Sequence, residues 1–272
     1  MNKTSLFIPI VLFIFCANYL VAQEAITDAK RPKIGLVLSG GAAKGFAHIG
    51  LLKVLEEVGI QPDYITGASM GSIVGGLYAL GLNAEQLEQI ALSQNWELVL
   101  SNKVDLESIN ILEKKNFDSH FLSLHYQDGK FLFPQGLIEG QYLSLVLARL
   151  ACSSHLIDDF DDFPTPFRCV AVNVLDGEVV VLDKGFLARA QRASMAIPTV
   201  FTPIELDDKL LIDGGVIRNL PAQEAIDMGA DILIGAYAGA GPTTKDDLKT
   251  GIDILVQTSF LYSIADTKEQ IK

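Results

Sequence analysis

Three stretches of this chain carry residue types that could do chemistry together. The first is Gly67-Ala68-Ser69-Met70-Gly71, a G-x-S-x-G spacing that sets a serine between two glycines. Where a strand turns sharply into a helix, such a serine presents its hydroxyl at the helix N-terminus, a place suited to a nucleophile. The second is Ser39-Gly40-Gly41-Ala42-Ala43-Lys44-Gly45, a loop whose backbone N–H groups suit an oxyanion. The third is Asp213-Gly214-Gly215, where a carboxylate could accept the serine proton and paired glycines allow close backbone approach. The serine pattern alone recurs by chance in about one chain in ten of this length, so its surroundings have to support it.

The elements around these stretches do support it. Asp63 to Thr66 reads as a short strand directly before the serine, and Ile73 to Leu80 as the helix after it. Lys33 to Leu38 is a continuous apolar run of the kind covered on both faces. It leads into the glycine loop, after which Phe46 to Val58 has helical spacing, with Ile49, Leu52 and Leu55 or Val58 on one face. Lys209 to Ile212 is strand-like and runs into Asp213. In a mostly parallel α/β sheet the C-terminal ends of strands share one rim, where ligands bind. All three stretches follow strands, so they are expected to converge there.

Competing chemistries fit less well. A dinucleotide fingerprint needs G-x-G-x-x-G, but Gly40 and Gly41 are adjacent, and Asp63 precedes its strand instead of ending it. A P-loop needs Ser or Thr after the lysine, and Lys44 is followed by Gly45. A hydrolase triad in the order Ser, Asp, His has no histidine to close it, since residues 48, 120, 125 and 155 all precede Asp213. His48 is expected to be packed or capping, because polar groups in a helix beside a sheet are usually satisfied. A Ser69–Asp213 dyad is the economical alternative.

Composition narrows the partners. The chain has 272 residues, 49% of them hydrophobic, enough for one α/β domain. With 21 basic and 33 acidic residues it opposes phosphate backbones, so no nucleic-acid partner is expected, and a membrane would be met by transient apolar contact. Residues 1–22 have a signal-peptide layout, with Lys3, the apolar run Leu6 to Phe15 and a small residue at Ala22. Pro9 and Asn18 interrupt the run, which falls short of the ~20 residues that span a bilayer. Export to the periplasm, the outer membrane or the medium is therefore expected. A polar linker, 23–32, precedes the domain at 33–272. Phe15 stands where a lipoprotein needs a small residue before Cys16, and Cys152 and Cys169 are expected to be free buried thiols.

Between the reactive stretches, Asn83 is expected to cap a helix at Ala84 to Ser93. A hairpin is expected over Phe121 to Phe133 around Asp128-Gly129, and a helix over Ile138 to Leu150. Asp158-Asp159-Phe160-Asp161-Asp162 lacks the spacing and glycine of an EF-hand and reads as a solvated acidic loop. Phe167 to Val174 and Glu178 to Asp183 are strands about a turn, Arg189 to Ala196 a helix stopped by Pro198, and Thr199 to Glu205 a strand. Trp96 to Asn116 has no clear assignment.

Taken with their order, these motifs resemble the bacterial patatin-like phospholipases. Gly40 to Gly45 resembles that family's glycine-rich oxyanion motif, Gly67 to Gly71 its nucleophile elbow and Asp213-Gly214-Gly215 its dyad motif. Arg192 to Pro198 and Asn219-Leu220-Pro221 are also similar to family segments, and the likeness runs from about residue 34 to 235. The resemblance implies a three-layer α/β/α fold and hydrolysis of phospholipid or other acyl-ester substrates without metal or organic cofactor. It implies Ser69 as nucleophile, Asp213 as base, the amides of Gly40, Gly41 and Ala42 as the oxyanion hole, and Lys44, Gly45, Gly67, Gly71, Gly214 and Gly215 in support. Ala42 replaces a third glycine, which costs about 1 kcal/mol if that residue needs positive φ. That departure leaves open a weak or inactive lipid-binding or secretion-associated module. Lys44 stands where an arginine is frequent. The sequence ends within the amphipathic run Ile252 to Ile271, so a fragment and a short family member are both open, as is the oligomeric state.

Overall fold

Alternation along one short strand sets the layers of this molecule. In β1 (Ile34–Leu38), Leu36 and Leu38 enter one hydrophobic cluster, while Val37 enters another on the opposite face. A strand buried on both faces needs helices above and below it. The computed structural model describes residues 31–101, 125–127, 129–132, 134–239 and 244–271. The signal-peptide reading of 1–22 and most of the linker lie outside these residues, as do the first part of the expected hairpin and the unassigned stretch from residue 102 on. Residues 33–272 form one compact unit.

The main sheet has seven strands. β1 pairs in parallel with β2 (Tyr64–Ala68) on one side and with β11 (Ile232–Ala236) on the other. β2 pairs in parallel with β6 (Phe167–Asn173), giving a parallel core of four strands. The remaining three are antiparallel additions: β7 (Val179–Leu182) and β10 (Lys209–Asp213) on β6, and β9 (Ile204–Leu206) on β10. Helix α1 (Ala47–Glu57) buries Ile49, Leu52 and Leu55 in the larger cluster with α2 (Met70–Ala79). Leu52 is fully buried, so truncating it to alanine should cost ~2–5 kcal/mol. Helix α3 (Ala84–Ser93) starts from the expected Asn83 cap, which the structure completes into a capping box with Gln86. The short helix α4 (Trp96–Val99) follows, and Trp96 packs on Phe46 at 4.9 Å between ring centres. Helix α7 (Ala222–Asp227) covers the second face, where Ala222 and Ala225 meet Val37.

Several expectations need correction. A two-stranded antiparallel hairpin forms from β3 (His125–Gln127) and β4 (Lys130–Leu132), but Ile138 does not begin a helix. It ends β5 (Gly136–Ile138), and helix α5 (Gln141–Leu150) starts after Gly140, whose φ of 71° interrupts the chain direction. The segment Thr199 to Glu205 is not one strand. β8 (Thr199–Phe201) pairs in parallel with β5 in a separate small sheet, whereas β9 joins the main one. Pro203 between them has no N–H for a ladder and forces the switch. Helix α6 (Leu187–Ser194) begins and ends two residues earlier than its spacing suggested. Cys169 is a buried free thiol, but Cys152 is exposed. Asp158, Asp159, Asp161 and Asp162 surround a buried Phe160, and all four are exposed, consistent with a solvated acidic loop.

Candidate active site

The elbow is built from a close approach. A Cβ on Gly67 would lie 2.5 Å from the Gly71 carbonyl oxygen, and one on Gly71 would overlap the Leu38 carbonyl. Only glycine at both places lets the first turn of α2 sit against β1 and β2. Ser69 between them takes φ 50° and ψ −121°, a strained conformation that costs of order 1–3 kcal/mol and persists where the surroundings enforce it. Its backbone N–H donates to Ser194 Oγ at 3.0 Å, and its carbonyl accepts from Ser72 Oγ at 2.6 Å.

Ser69 Oγ donates to Asp213 Oδ2 at 2.7 Å. The other oxygen, Asp213 Oδ1, accepts the Gly215 N–H at 2.7 Å, so both ends of the carboxylate are held. Asp213 has no exposed surface. Burial pushes its carboxyl up from 3.8 to about 7, against the Ser69 and Gly215 hydrogen bonds that pull it down. That is the range of a base working near neutrality.

The two residues meet, but not by the route expected. β10 runs antiparallel to β6, so Asp213 is not on the shared rim of parallel strand ends. β2 pairs with Phe167 to Val170 of β6, and β10 with Ala171 to Asn173. β7 pairs with Cys169 to Val172 and must occupy the other edge. β2 and β10 therefore lie end to end along one edge of β6, their C-termini facing, with Ser69 and Asp213 at the junction. Ser194 fills the break: its hydroxyl accepts from Ser69 N–H and donates to the Val170 carbonyl at 2.7 Å.

The glycine loop lies against this junction. A Cβ on Gly40 would stand 2.9 Å from the Ser69 Cβ. Gly40 N–H, however, is taken up by Asn219 Oδ1 at 3.0 Å and by the Asn219 carbonyl at 3.3 Å, so in this arrangement it is not free to receive an oxyanion. Among the described residues, the Gly41 and Ala42 N–H groups have no hydrogen-bond partner. Ala42 has φ 47° and is exposed. Lys44, also exposed, closes the turn through its own N–H to the Gly41 carbonyl at 3.0 Å. Gly45 is buried against Met70, where no side chain would fit. Gly214 packs on the Val170 carbonyl in the same way.

His48 plays another part. It is buried, with Nε2 2.7 Å from the Ser39 carbonyl, and burial lowers its pKa, so a neutral ring helps hold the strand end from which the loop departs. Arg192 is buried too, donating to the Glu139 and Thr202 carbonyls at 3.0 and 3.2 Å with Phe201 beneath it at 5.0 Å. It ties the β5–β8 pair to α6. Among the described residues no group of His, Cys, Asp and Glu is gathered closely enough to hold a metal ion. Reading the residues alone did not single out Ser194 or Asn219. For Ser194 the available signal was a lone polar side chain in Ala193-Ser194-Met195, whereas Asn219 follows the charged Arg218 and has no such signal.

The model of the family described as patatin-like phospholipase matches residues 36–226, which span every motif above. The chain belongs to the patatin-like phospholipase family. An uncharacterized NTE family protein of Mycobacterium tuberculosis is 28% identical over 224 residues, 81% of this chain and 54% of that protein. The lysophospholipase NTE1 of Cryptococcus neoformans is 31% identical over 216 residues, 79% of this chain but 12% of the fungal protein. The chain thus spans about half the length of the mycobacterial relative and a small part of the fungal one. Among solved structures, VipD from Legionella pneumophila aligns with a TM-score of 0.43 at 18% identity, covering 71% of this chain and 47% of VipD. ExoU from Pseudomonas aeruginosa, crystallised with SpcU, aligns with a TM-score of 0.41 at 20% identity, covering 62% of this chain and 39% of ExoU.

Proposed function

We propose that this patatin-like chain is a lipid acyl hydrolase that cleaves carboxylic esters of phospholipids or simpler acyl lipids. One observation carries the reading: the Ser69 hydroxyl lies 2.7 Å from a carboxylate that burial has raised to about 7. As Ser69 Oγ bonds to the ester carbonyl carbon, its proton passes to Asp213. The negative charge on the carbonyl oxygen is received by the N–H groups of Gly41 and Ala42, each donor being worth roughly 10²–10³ in rate. Collapse breaks the bond to the leaving alcohol, which takes the proton from Asp213. A water then gives its proton to Asp213, its oxygen bonds to the acyl carbon, and the proton returns to Ser69 as the fatty acid leaves. No metal or organic cofactor is needed for any of these steps.

Further features agree with a lipid substrate. A narrow apolar cavity of about 40 Å³ begins one turn along α2 from Ser69 and is lined by carbon-rich side chains, among them Phe46, Ile73, Leu77, Trp96, Leu143 and Leu147. An acyl chain has no polar group for which such a lining would have to provide a partner. Given the name of the fungal relatives, a one-chain lysophospholipid is the substrate to try first. In this reading the protein is exported, and with a net charge of −12 it meets membrane lipids by transient apolar contact. Ser69→Ala and Asp213→Asn should each lower hydrolysis of a soluble short-chain ester and of a lysophospholipid at least about 10³-fold. Retained activity in either variant would overturn the dyad.

A further inference from the structure

We propose that Asn219 is a positioning residue that sets the glycine loop at its working height above Asp213. The inference rests on the hydrolase reading above and adds to it a link between the two halves of the site. Asn219 is buried. Its amide oxygen accepts the Gly40 N–H at 3.0 Å, and its backbone carbonyl accepts the same N–H at 3.3 Å. That contact joins residues 179 positions apart in sequence. A Cβ on Gly40 would stand 2.6 Å from Asn219 Oδ1, and a Cβ on Gly215 would stand 2.7 Å from it. The amide oxygen is thus wedged between the loop that carries the free N–H groups and the loop that carries the base, where neither can bear a side chain.

The base side of this wedge is firmly held. The N–H groups of Ile217 and Arg218 donate to the Gly214 carbonyl at 3.2 and 2.8 Å, which folds the turn from Asp213 back to Asn219. The Arg218 side chain then ties the turn to Glu224 at 2.7 Å and to Asp266 at 3.2 Å. The glycine loop is anchored at its Ser39 end by Ala236, Ala238 and His48, while Ala42, Ala43 and Lys44 beyond it are exposed. The Gly40–Asn219 contact is the direct tie between this loop and the turn that carries Asp213, next to the Gly41 and Ala42 N–H groups. Since those donors matter most where charge develops on the substrate oxygen, losing the contact should act on kcat more than on KM.

A second consequence is electrostatic. The Cβ position of Gly215 lies 2.7 Å from Asn219 Oδ1 and 3.0 Å from Asp213 Oδ1. Asn219→Asp keeps an acceptor for Gly40 but sets a second carboxylate beside the first, which raises the pKa at which Asp213 ionises. Asn219→Ala removes the side-chain acceptor, leaves Gly40 N–H only the longer bond to the residue 219 backbone carbonyl, and adds no charge.

The test uses the full chain with its active sites titrated by a fluorophosphonate, so that misfolded protein is not counted. Asn219→Ala should lower kcat per titrated site roughly 10- to 100-fold with KM within about twofold, as expected for misplaced oxyanion donors. Asn219→Asp should recover part of that loss and shift the acid limb of the kcat/KM profile upward by at least about half a pH unit. In the same samples, amide exchange followed by mass spectrometry should quicken over residues 39–46 in Asn219→Ala and stay unchanged in the core strands. Unchanged kcat per site in the alanine variant, or an unmoved acid limb in the aspartate variant, would overturn the proposal. A wild-type chain silent toward both ester and probe would overturn the hydrolase reading instead, and exchange over 39–46 would then decide the role of Asn219: quickened exchange supports it, unchanged exchange refutes it.

Discussion

Asp213 stands opposite Ala171 in an antiparallel register, one place along β6 from where Ala68 stands opposite Val170 in a parallel one. Two strands therefore run at each other along one edge of β6, and the residues at their facing ends are the serine and its carboxylate. A one-residue slip of either strand would turn its side chains to the other face of the sheet. Ser69 and Asp213 are thus held by backbone pairing as much as by their own 2.7 Å hydrogen bond.

Activity should follow the ionisation of Asp213. With its carboxyl raised to about 7 by burial, kcat/KM for a short soluble ester should climb along an acid limb of unit slope with its midpoint near 7. The same perturbation acts on stability. A folded-state pKa above the unfolded 3.8 means that folding favours the protonated form, so this contribution is fully present below the unfolded pKa and is lost as pH rises through about 7. A rise of about three in pKa corresponds to roughly 4 kcal/mol. Asp213→Asn should therefore gain stability relative to wild type on going from pH 4 to pH 8. Thermal unfolding of both proteins at the two pH values checks the sign, and a difference that does not change with pH would refute it.

Ala42 occupies a left-handed conformation, with φ 47°. Its side chain is exposed and does not repay that strain by packing. Ala42→Gly should relieve about 1 kcal/mol, a rise of ~2–4 °C in Tm for a domain of this size. Ala42→Val should lower Tm, since a branched side chain tolerates positive φ still less. Melting curves of the two variants decide the matter, and a glycine variant less stable than wild type would count against it.

Ser194 stands in for a ladder hydrogen bond at the junction of β2 and β10. Ser194→Ala would leave the Ser69 N–H and the Val170 carbonyl without their present partner in a buried place, at a cost of ~1–3 kcal/mol. The elbow should loosen as well, lowering kcat at least about tenfold. Denaturant unfolding together with steady-state kinetics would detect both effects, and wild-type values in each would show that the hydroxyl is dispensable.

Local features of this fold were legible in the sequence, and non-local ones were not. β1, β2 and the Asn83 cap are written in contiguous apolar runs and in one box of four residues, and the reactive motifs are equally compact. The antiparallel direction of β10 depends on pairing with a strand some forty residues away, which no local pattern encodes. The division of Thr199 to Glu205 between two sheets had a readable sign in Pro203, as did the late start of α5 in Gly140. Ser194 and Asn219 were harder to find, because their partners, Ser69, Val170 and Gly40, are all distant in sequence. The same distance hid the fact that Gly40 N–H is already engaged.

The most direct test of the account is covalent labelling by a fluorophosphonate, because only an activated serine reacts readily. The purified chain should take up one probe per molecule, located at Ser69 by peptide mass spectrometry, with labelling lost in Ser69→Ala and slowed at least about 10²-fold in Asp213→Asn. A chain that stays unlabelled while folded, or that labels at a serine other than Ser69, would contradict it.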